Sequence, residues 1–317
     1  MDPSSTTTAT PTSAPSGCPD PLTRATRLGD VDGAGRDSLQ LAPPALQGAL
    51  VALVSRDTRG LALGDAQRLT HYPASTLVSI SWFHGVDVGL VERTADGACW
   101  TSFGARVVAS GSQSRPITTW APTTGRGYIA IFNADAAHAL FGLDLGAVQD
   151  RFVPVEQAIG DEWRPLWDAL RASKEADLLA VLEHHLAPRW QALYGRPSAQ
   201  PSLRQLGRHW IERLAWHAHQ WRREHSPRHV ERRIKSFSGR SMREWQTLVR
   251  TEGLFFAARD RQAAGQAIDW AELAQDEGFA DQAHMIRTTR RITGFSPTEF
   301  GQRFEQDESF WLYRLWV

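Results

Sequence analysis

The stretch Trp270-Ala-Glu-Leu-Ala-Gln-Asp-Glu-Gly278-Phe-Ala-Asp281-Gln-Ala-His-Met285-Ile-Arg287-Thr-Thr-Arg290-Arg291-Ile292-Thr-Gly294-Phe-Ser296-Pro297 decides how the rest of the chain is read. Leu273 and Ala274 share one side of a short helix. That helix breaks at Gly278, where glycine takes a left-handed turn at no steric cost. Asp281 is a good N-cap for a second helix, with Met285, Thr289 and Ile292 on its inner face and Gln282, Ile286, Arg287 and Arg290 on its outer one. Helix, tight turn and helix with a basic outer face predict a helix-turn-helix that enters a DNA major groove.

The same pattern occurs 55 residues upstream. Ser226 matches Asp281, Val230 matches Met285, Arg232 matches Arg287, Lys235 matches Arg290, Phe237 matches Ile292 and Gly239 matches Gly294. Each glycine is followed by Ser-x-x-Glu (Ser241 to Glu244, Ser296 to Glu299), a capping box that opens a further helix. A basic helix repeated in one register predicts two reading heads. The helix expected over 241–261, with Trp245, Leu248, Val249 and Phe256 inward, would span about 30 Å at 1.5 Å per residue. Successive major grooves on one DNA face lie about 34 Å apart, so a connector of this length is of the right size.

Charge follows the same division. The 317 residues carry no net charge, but residues 201–264 hold 14 Lys+Arg against 6 Asp+Glu, whereas 265–317 and 1–200 are each at −4. Basic charge is therefore concentrated in the upstream unit, as a phosphate-facing surface requires. Cys18 and Cys99 are too few for a disulfide framework or a four-ligand zinc site, so a reducing cytoplasm is the expected compartment. No apolar run reaches the roughly 18 residues of a membrane span, and the N-terminus lacks a signal-peptide pattern.

Residues 1–38, rich in Thr, Ser, Pro, Ala and Gly, are expected to form a disordered tail. A short helix after Pro43-Pro44 is expected within 39–53, and a loop over 56–68. Short β-branched and aromatic runs at 76–83, 104–109 and 127–132 predict strands of a small sandwich or barrel. Helices are expected over 134–145, 161–172 and 176–193, then a linker at 195–202. The fold class is thus α+β: a β-rich sensor domain with helices (39–194), then an all-α double helix-turn-helix domain (203–304) and an aromatic C-terminal tail (305–317). That tail is read either as packing back on the domain or as a dimer or polymerase contact.

Residues 203–304 resemble the DNA-binding domain of the AraC/XylS-type transcription regulators. The resemblance rests on Ala271-Glu-Leu-Ala-x-x-x-Gly278-Phe-x-Asp281-Gln282-x-His284, on Arg287, on Gly294-x-Ser296-Pro297-x-x-Phe300, and upstream on Ser226-x-Arg228-x-Val230-x-Arg232-Arg233. It implies two helix-turn-helix units joined by a long helix, binding adjacent major grooves and recruiting or blocking RNA polymerase. Thr289 stands where the family carries a large aromatic, which predicts looser packing beneath the second reading helix. More weakly, the N-terminal part is similar to the sensor half of such regulators, which implies a small-molecule effector and a homodimer.

Candidate site residues follow from face and chemistry. On the downstream helix Gln282, Ala283, Ile286, Arg287 and Arg290 form the DNA-facing set, because glutamine pairs with adenine, arginine with guanine or phosphate, and alanine or isoleucine touches a thymine methyl. Upstream the set is Arg228, Glu231, Arg232 and Lys235, with Glu231 placed to accept from cytosine N4. Trp82, Trp100, Trp120 and Phe132 are candidates to line an apolar ligand cavity, weighed against a plain core role. The rival function is a metal-dependent barrel-type enzyme with a helical interaction domain, drawing on His71, His84, His138 and Glu92. No two of these histidines have a tight ligand spacing, and no phosphate loop or Ser/His/Asp order marks a nucleophilic enzyme. No cofactor, metal or membrane partner is expected.

Overall fold

Alternation of small polar and large apolar residues sets the strands of the N-terminal half. The structure, a computed structural model, describes residues 17–28, 37–95, 97–194, 205–266 and 268–316. Its strands are β1 (Asp37–Leu41), β2 (Leu50–Asp57), β3 (Leu69–Tyr72), β4 (Val78–His84), β5 (Gly89–Thr94), β6 (Gly97–Ser102), β7 (Val107–Ser110), β8 (Ile117–Trp120), β9 (Arg126–Phe132) and β10 (Phe152–Pro154). They form a six-stranded sheet in the order β1-β2-β9-β4-β7-β10 and a four-stranded sheet in the order β3-β8-β5-β6, antiparallel throughout. The two open sheets correspond to the sandwich expected rather than to a closed barrel.

The six-stranded sheet is buried on both faces. Val78, Ile80 and Trp82 of β4, with Tyr128, Ala130 and Phe132 of β9, point to one side. There they meet helices α1 (Ala134–Phe141), α2 (Leu145–Val148), α3 (Val155–Ala158), α4 (Arg164–Ala172) and α5 (Leu178–Tyr194). Leu166, Trp167 and Leu170 of α4 and Leu182, Leu186 and Trp190 of α5 supply most of that layer. These are the stripes the 3.6-residue period predicts. Helix α1 stops earlier than the expected 134–145 because Gly142 adopts φ 68° as its left-handed cap.

Two N-terminal expectations are corrected. The helix expected within 39–53 is strand β1, a 3-10 turn at Pro44–Leu46 and strand β2. Leu50-Val51-Ala52-Leu53-Val54 is buried on both faces, and an apolar run without alternation does not distinguish such a strand from a helix. Residues 17–28, expected within a disordered tail, are held against the C-terminus: Arg27 N–H donates to Gln306 O at 3.0 Å and Glu308 N–H to Ala25 O at 2.8 Å. The remainder of the 1–38 tail up to Arg36 and all of the 195–202 linker lie outside the described residues.

The C-terminal half is helical: α6 (Leu206–Trp221), α7 (Pro227–Ser238), α8 (Met242–Ala263), α9 (Trp270–Asp276), α10 (Gln282–Thr293), α11 (Pro297–Gln306) and α12 (Trp311–Leu315). It is continuous with the N-terminal core. Trp210, Leu214, Val230, Ile234 and Trp245 belong to the same buried cluster as Leu145 and Val148, and Arg213 of α6 forms an ion pair with the buried Asp135 of α1.

The aromatic C-terminal segment packs back, as the first of its two readings had it. Trp311 and Leu312 cover Val51, Ala52, Val54 and Ile131 on the second face of the large sheet. Trp311 Nε1–H donates to Thr70 Oγ1 at 2.9 Å, Arg56 lies 4.6 Å over its ring, and Arg56 pairs with Glu308 at 2.8 Å. Trp311→Ala is expected to destabilise the chain by about 3–5 kcal/mol, the usual cost of emptying a buried tryptophan site, read as a lowered urea midpoint. An unchanged midpoint would show that this contact does not hold the tail.

Candidate functional site

Helices α7 and α10 are built alike. Ser226 and Asp281 stand at their N-caps, and the Asp281 carboxylate accepts the His284 N–H at 2.6 Å. Both helices end on a left-handed glycine, Gly239 at φ 82° and Gly294 at φ 86°. The buried positions keep the 55-residue offset: Val230 with Met285, Ile234 with Thr289, and Ser238 with Thr293. The last pair also shares its hydrogen bonding. Ser238 Oγ lies 2.7 Å from Ile234 O and 3.0 Å from Arg240 O, while Thr293 Oγ1 lies 2.9 Å from Thr289 O and 3.1 Å from Phe295 O. Each hydroxyl thus bridges the last turn of its helix to the chain that leaves it, which fixes where the next helix starts.

The outer faces stand free. Arg228, Glu231, Arg232 and Lys235 of α7 are exposed, as are Gln282, Ala283, Arg287 and Arg290 of α10. Ile286 departs from this set: it is half-buried against the cluster of Leu254, Leu273, Phe279 and Met285, so only part of it is open to a base. Among the described residues Arg228, Arg232, Lys235, Arg287 and Arg290 have no carboxylate partner. Arginines of the β-rich half are mostly paired, as in Arg56–Glu308, Arg68–Asp65, Arg115–Glu92 and Arg126–Asp57. Unpaired cations at helical spacing on an exposed face are what phosphate contact needs, since a carboxylate partner would have to be displaced first. Beneath α10, Thr289 is fully buried with its hydroxyl 3.8 Å from Met285 Sδ, and Phe279 and Leu273 fill the space around that methionine.

The aromatic candidates for a ligand cavity do not line the cavity between the sheets and the helical half. Trp82 and Phe132 point to the helix-covered face of the large sheet, stacked on Tyr128 and edge-on to Phe141 respectively. Trp100 and Trp120 form a separate cluster with Leu69 and Val91 in the small sheet, where Trp100 Nε1–H donates to Trp120 O and Trp120 Nε1–H to Asp65 O. The histidines considered for a metal each pack among their own neighbours, with Nε2 of His71 and of His84 buried and without a hydrogen-bond partner among the described residues. His71 is buried between Phe295 and Phe310 with Nδ1 3.0 Å from Thr118 Oγ1, and burial lowers its pKa to about 3. His84 packs edge-on to Tyr128, His138 Nδ1 meets Leu143 O, and Glu92 pairs with Arg115. No three metal-ligating side chains converge among the described residues.

A cavity of about 300 Å³ lies between the sheets and the helical half. Ser79, Ser81 and Phe83 of β4 and Ile129 and Ile131 of β9, the alternates of the core-facing residues, form one wall, and Tyr72, Ile117 and Thr119 of the small sheet form another. The helical half closes it with Glu252, Phe255, Phe256 and Arg259 of α8, Trp270 at the start of α9, Ile292 and Thr293 at the end of α10, Phe300 and Phe304 of α11, and Tyr313 and Trp316. The sequence reading missed this wall of α8, treating the helix as a connector. The available signal was Glu252, Phe255, Phe256 and Arg259 at i, i+3, i+4 and i+7, a second stripe beside the core stripe of Trp245, Leu248 and Leu254.

No family model and no curated protein matches the chain. Among solved structures it is similar to ToxT from Vibrio cholerae, at 8% identity and a TM-score of 0.33 over 74% of this chain and 95% of that one. A second ToxT structure from the same organism, with an unsaturated fatty acid bound, gives 10% identity and a TM-score of 0.30 over 74% and 93%. Likeness this remote leaves the assignment to the residues themselves.

Burial alone pushes the Glu252 carboxyl up to about 7. The folded protein then holds this proton more tightly than the unfolded chain, so the group favours folding below about pH 4.5 and that contribution is lost as pH rises through 7. Glu252→Gln is therefore expected to match the parent in stability at pH 4 and to exceed it by about 1–3 kcal/mol at pH 8. Urea unfolding at the two pH values checks this, and equal midpoint differences at both would contradict it.

Proposed function

We propose that the chain is a sequence-specific, DNA-binding transcription regulator of the AraC/XylS type, acting in the cytoplasm and responding to a small molecule. The observation that carries this reading is the pair of helices α7 and α10. They share a buried register, a hydroxyl bridge and a left-handed glycine, and both turn basic side chains without a carboxylate partner among the described residues outward. Helix α8, with 22 residues, is about 33 Å long by its rise per residue, close to one turn of DNA. In this reading α10 supplies most base contacts through Gln282, Ala283, Arg287 and Arg290, with a share from Ile286. Helix α7 supplies Arg228, Arg232 and Lys235 to phosphates and Glu231 to a cytosine. RNA polymerase and a second copy of the chain are the protein partners that such a regulator implies.

The cavity supports the effector part of the reading. Its walls come from both halves of the chain and include the last turn of α10, and Ala74 N–H of the β-rich half donates to Ile292 O at 2.8 Å. A ligand there touches the sheets and a reading helix together, which is the differential contact that coupling between two sites requires. No helix among the described residues is long and apolar enough to cross a membrane.

Arg287→Ala is expected to weaken binding to a selected DNA site by about 1–3 kcal/mol and to relax discrimination at one base position. Equal loss on every sequence would remove the base-reading role from Arg287. Lys235→Ala should instead reduce binding alike on all sequences and lower the slope of log affinity against log salt by about one contact. Titrations at several salt concentrations separate the two outcomes, and an unaltered salt slope would take Lys235 off the phosphate backbone.

A further inference from the structure

The wall of the cavity formed by α8 carries two charged side chains, and they are not equivalent. Glu252 and Arg259 lie seven residues apart on one face, about 10.5 Å along the helix. Neither has an ion pair or hydrogen bond among the described residues. Arg259, like Glu252, is half-buried on this wall. Glu252 is short and sits half-buried where α8 crosses the start of α6: a Cβ at Gly207 would collide with its carboxylate and lie 2.8 Å from a Val249 methyl. A glycine at 207 therefore leaves the room in which this carboxylate sits.

The surroundings of Glu252 supply no cation. Burial is the one cause acting on its carboxyl, with no contribution from a charged neighbour. The other titratable groups on the cavity walls are Arg259 two turns away on α8, Tyr72 of β3 and Tyr313 of α12, and both phenols are pushed up by burial and so neutral. Glu277, against Gly253 of the same helix, adds a second carboxyl outside the cavity lining rather than a counter-ion. An unpaired carboxylate among apolar walls is costly, and the cost falls when a positive group joins it. Trp270, Phe255, Phe300, Phe304, Tyr313 and Trp316 line the same space. Aromatic faces attract a cation and do nothing for an anion.

We propose that the cavity takes an amine: an apolar molecule with one basic nitrogen, seated with that nitrogen at the Glu252 carboxylate and its hydrocarbon part against the aromatic walls. The inference rests on the reading of this cavity as the effector site. Glu252 is the specificity-determining residue, and Gly207 is the position that gives it space. The opposite chemistry, an acid held by Arg259, is the outcome that competes with it.

The test uses the full-length protein without DNA and three probes with one tail, decylamine, 1-decanol and decanoate, each kept below its aggregation limit. Binding is read by calorimetry and by the fluorescence of the cavity tryptophans. Decylamine is expected to bind at least tenfold more tightly than 1-decanol at pH 8, with decanoate weakest. Glu252→Gln should remove that advantage while leaving 1-decanol within twofold, which also shows that the variant keeps its cavity; Arg259→Gln should retain it. Preference for decanoate that disappears in Arg259→Gln, an amine advantage that survives Glu252→Gln, or no binding of any probe would each overturn the proposal. DNA binding is measured separately on ligand-free protein, so its failure would count against the regulator reading and not against the amine site.

Discussion

The structure depends on a six-stranded sheet whose central strands are covered on both faces. Because side chains alternate along each strand, β4 and β9 send Val78, Ile80, Trp82, Tyr128, Ala130 and Phe132 one way and Ser79, Ser81, Phe83, Ile129 and Ile131 the other. The first set builds a solid core with α1 to α5. The second set is smaller and partly polar, and it is roofed by residues from the far end of the chain, so a cavity remains where a second core would otherwise form. A one-residue slip of β4 would exchange the two faces, putting tryptophan in the cavity and serines in the core.

That roof ties the helical half to the sheet at several separate points. The last turn of α10 is fastened through Ile292 to Ala74, α12 lies on β1 to β3, and residues 17–28 clasp the 306–308 segment through Asp307 and Glu308. Arg303 and Asp307, both buried, pair at 2.9 Å within this clasp, and Arg303 also donates to Leu22 O. A buried pair of this kind is costly to break from one side, because the remaining charge is left without compensation. The helices proposed to read DNA are therefore not carried on a loose appendage: they share a core and a cavity wall with the sheets.

Much of the helical half was legible because its signals are local. Caps at Ser226 and Asp281, glycines at 239 and 294 and the 55-residue echo need no knowledge of tertiary contacts, and the exposed faces of α7 and α10 fall where the spacing places them, Ile286 aside. The β-rich half was legible only in part. Strand β2 hid in an apolar run buried on both sides, and residues 17–28 are low in large apolar groups yet are ordered by main-chain bonds to a segment some 280 residues away. The four aromatic candidates stand apart from this cavity for a related reason. Aromatic residues mark a large buried volume, but which face of a strand they occupy is set by its partners, and Trp82 and Phe132 went to the filled side. The walls of the cavity seen here combine serines, isoleucines and a helix that sequence alone made a connector.

In the proposed function two repeated helices read DNA at a fixed spacing. Selection of bound sites from random duplex DNA by the full-length protein tests it most directly. The account predicts enrichment of an asymmetric site with two blocks whose centres lie about one helical turn, roughly 10–10.5 base pairs, apart, the better-defined block being lost in Arg287→Ala. Recovery of sequences with no common motif would contradict it.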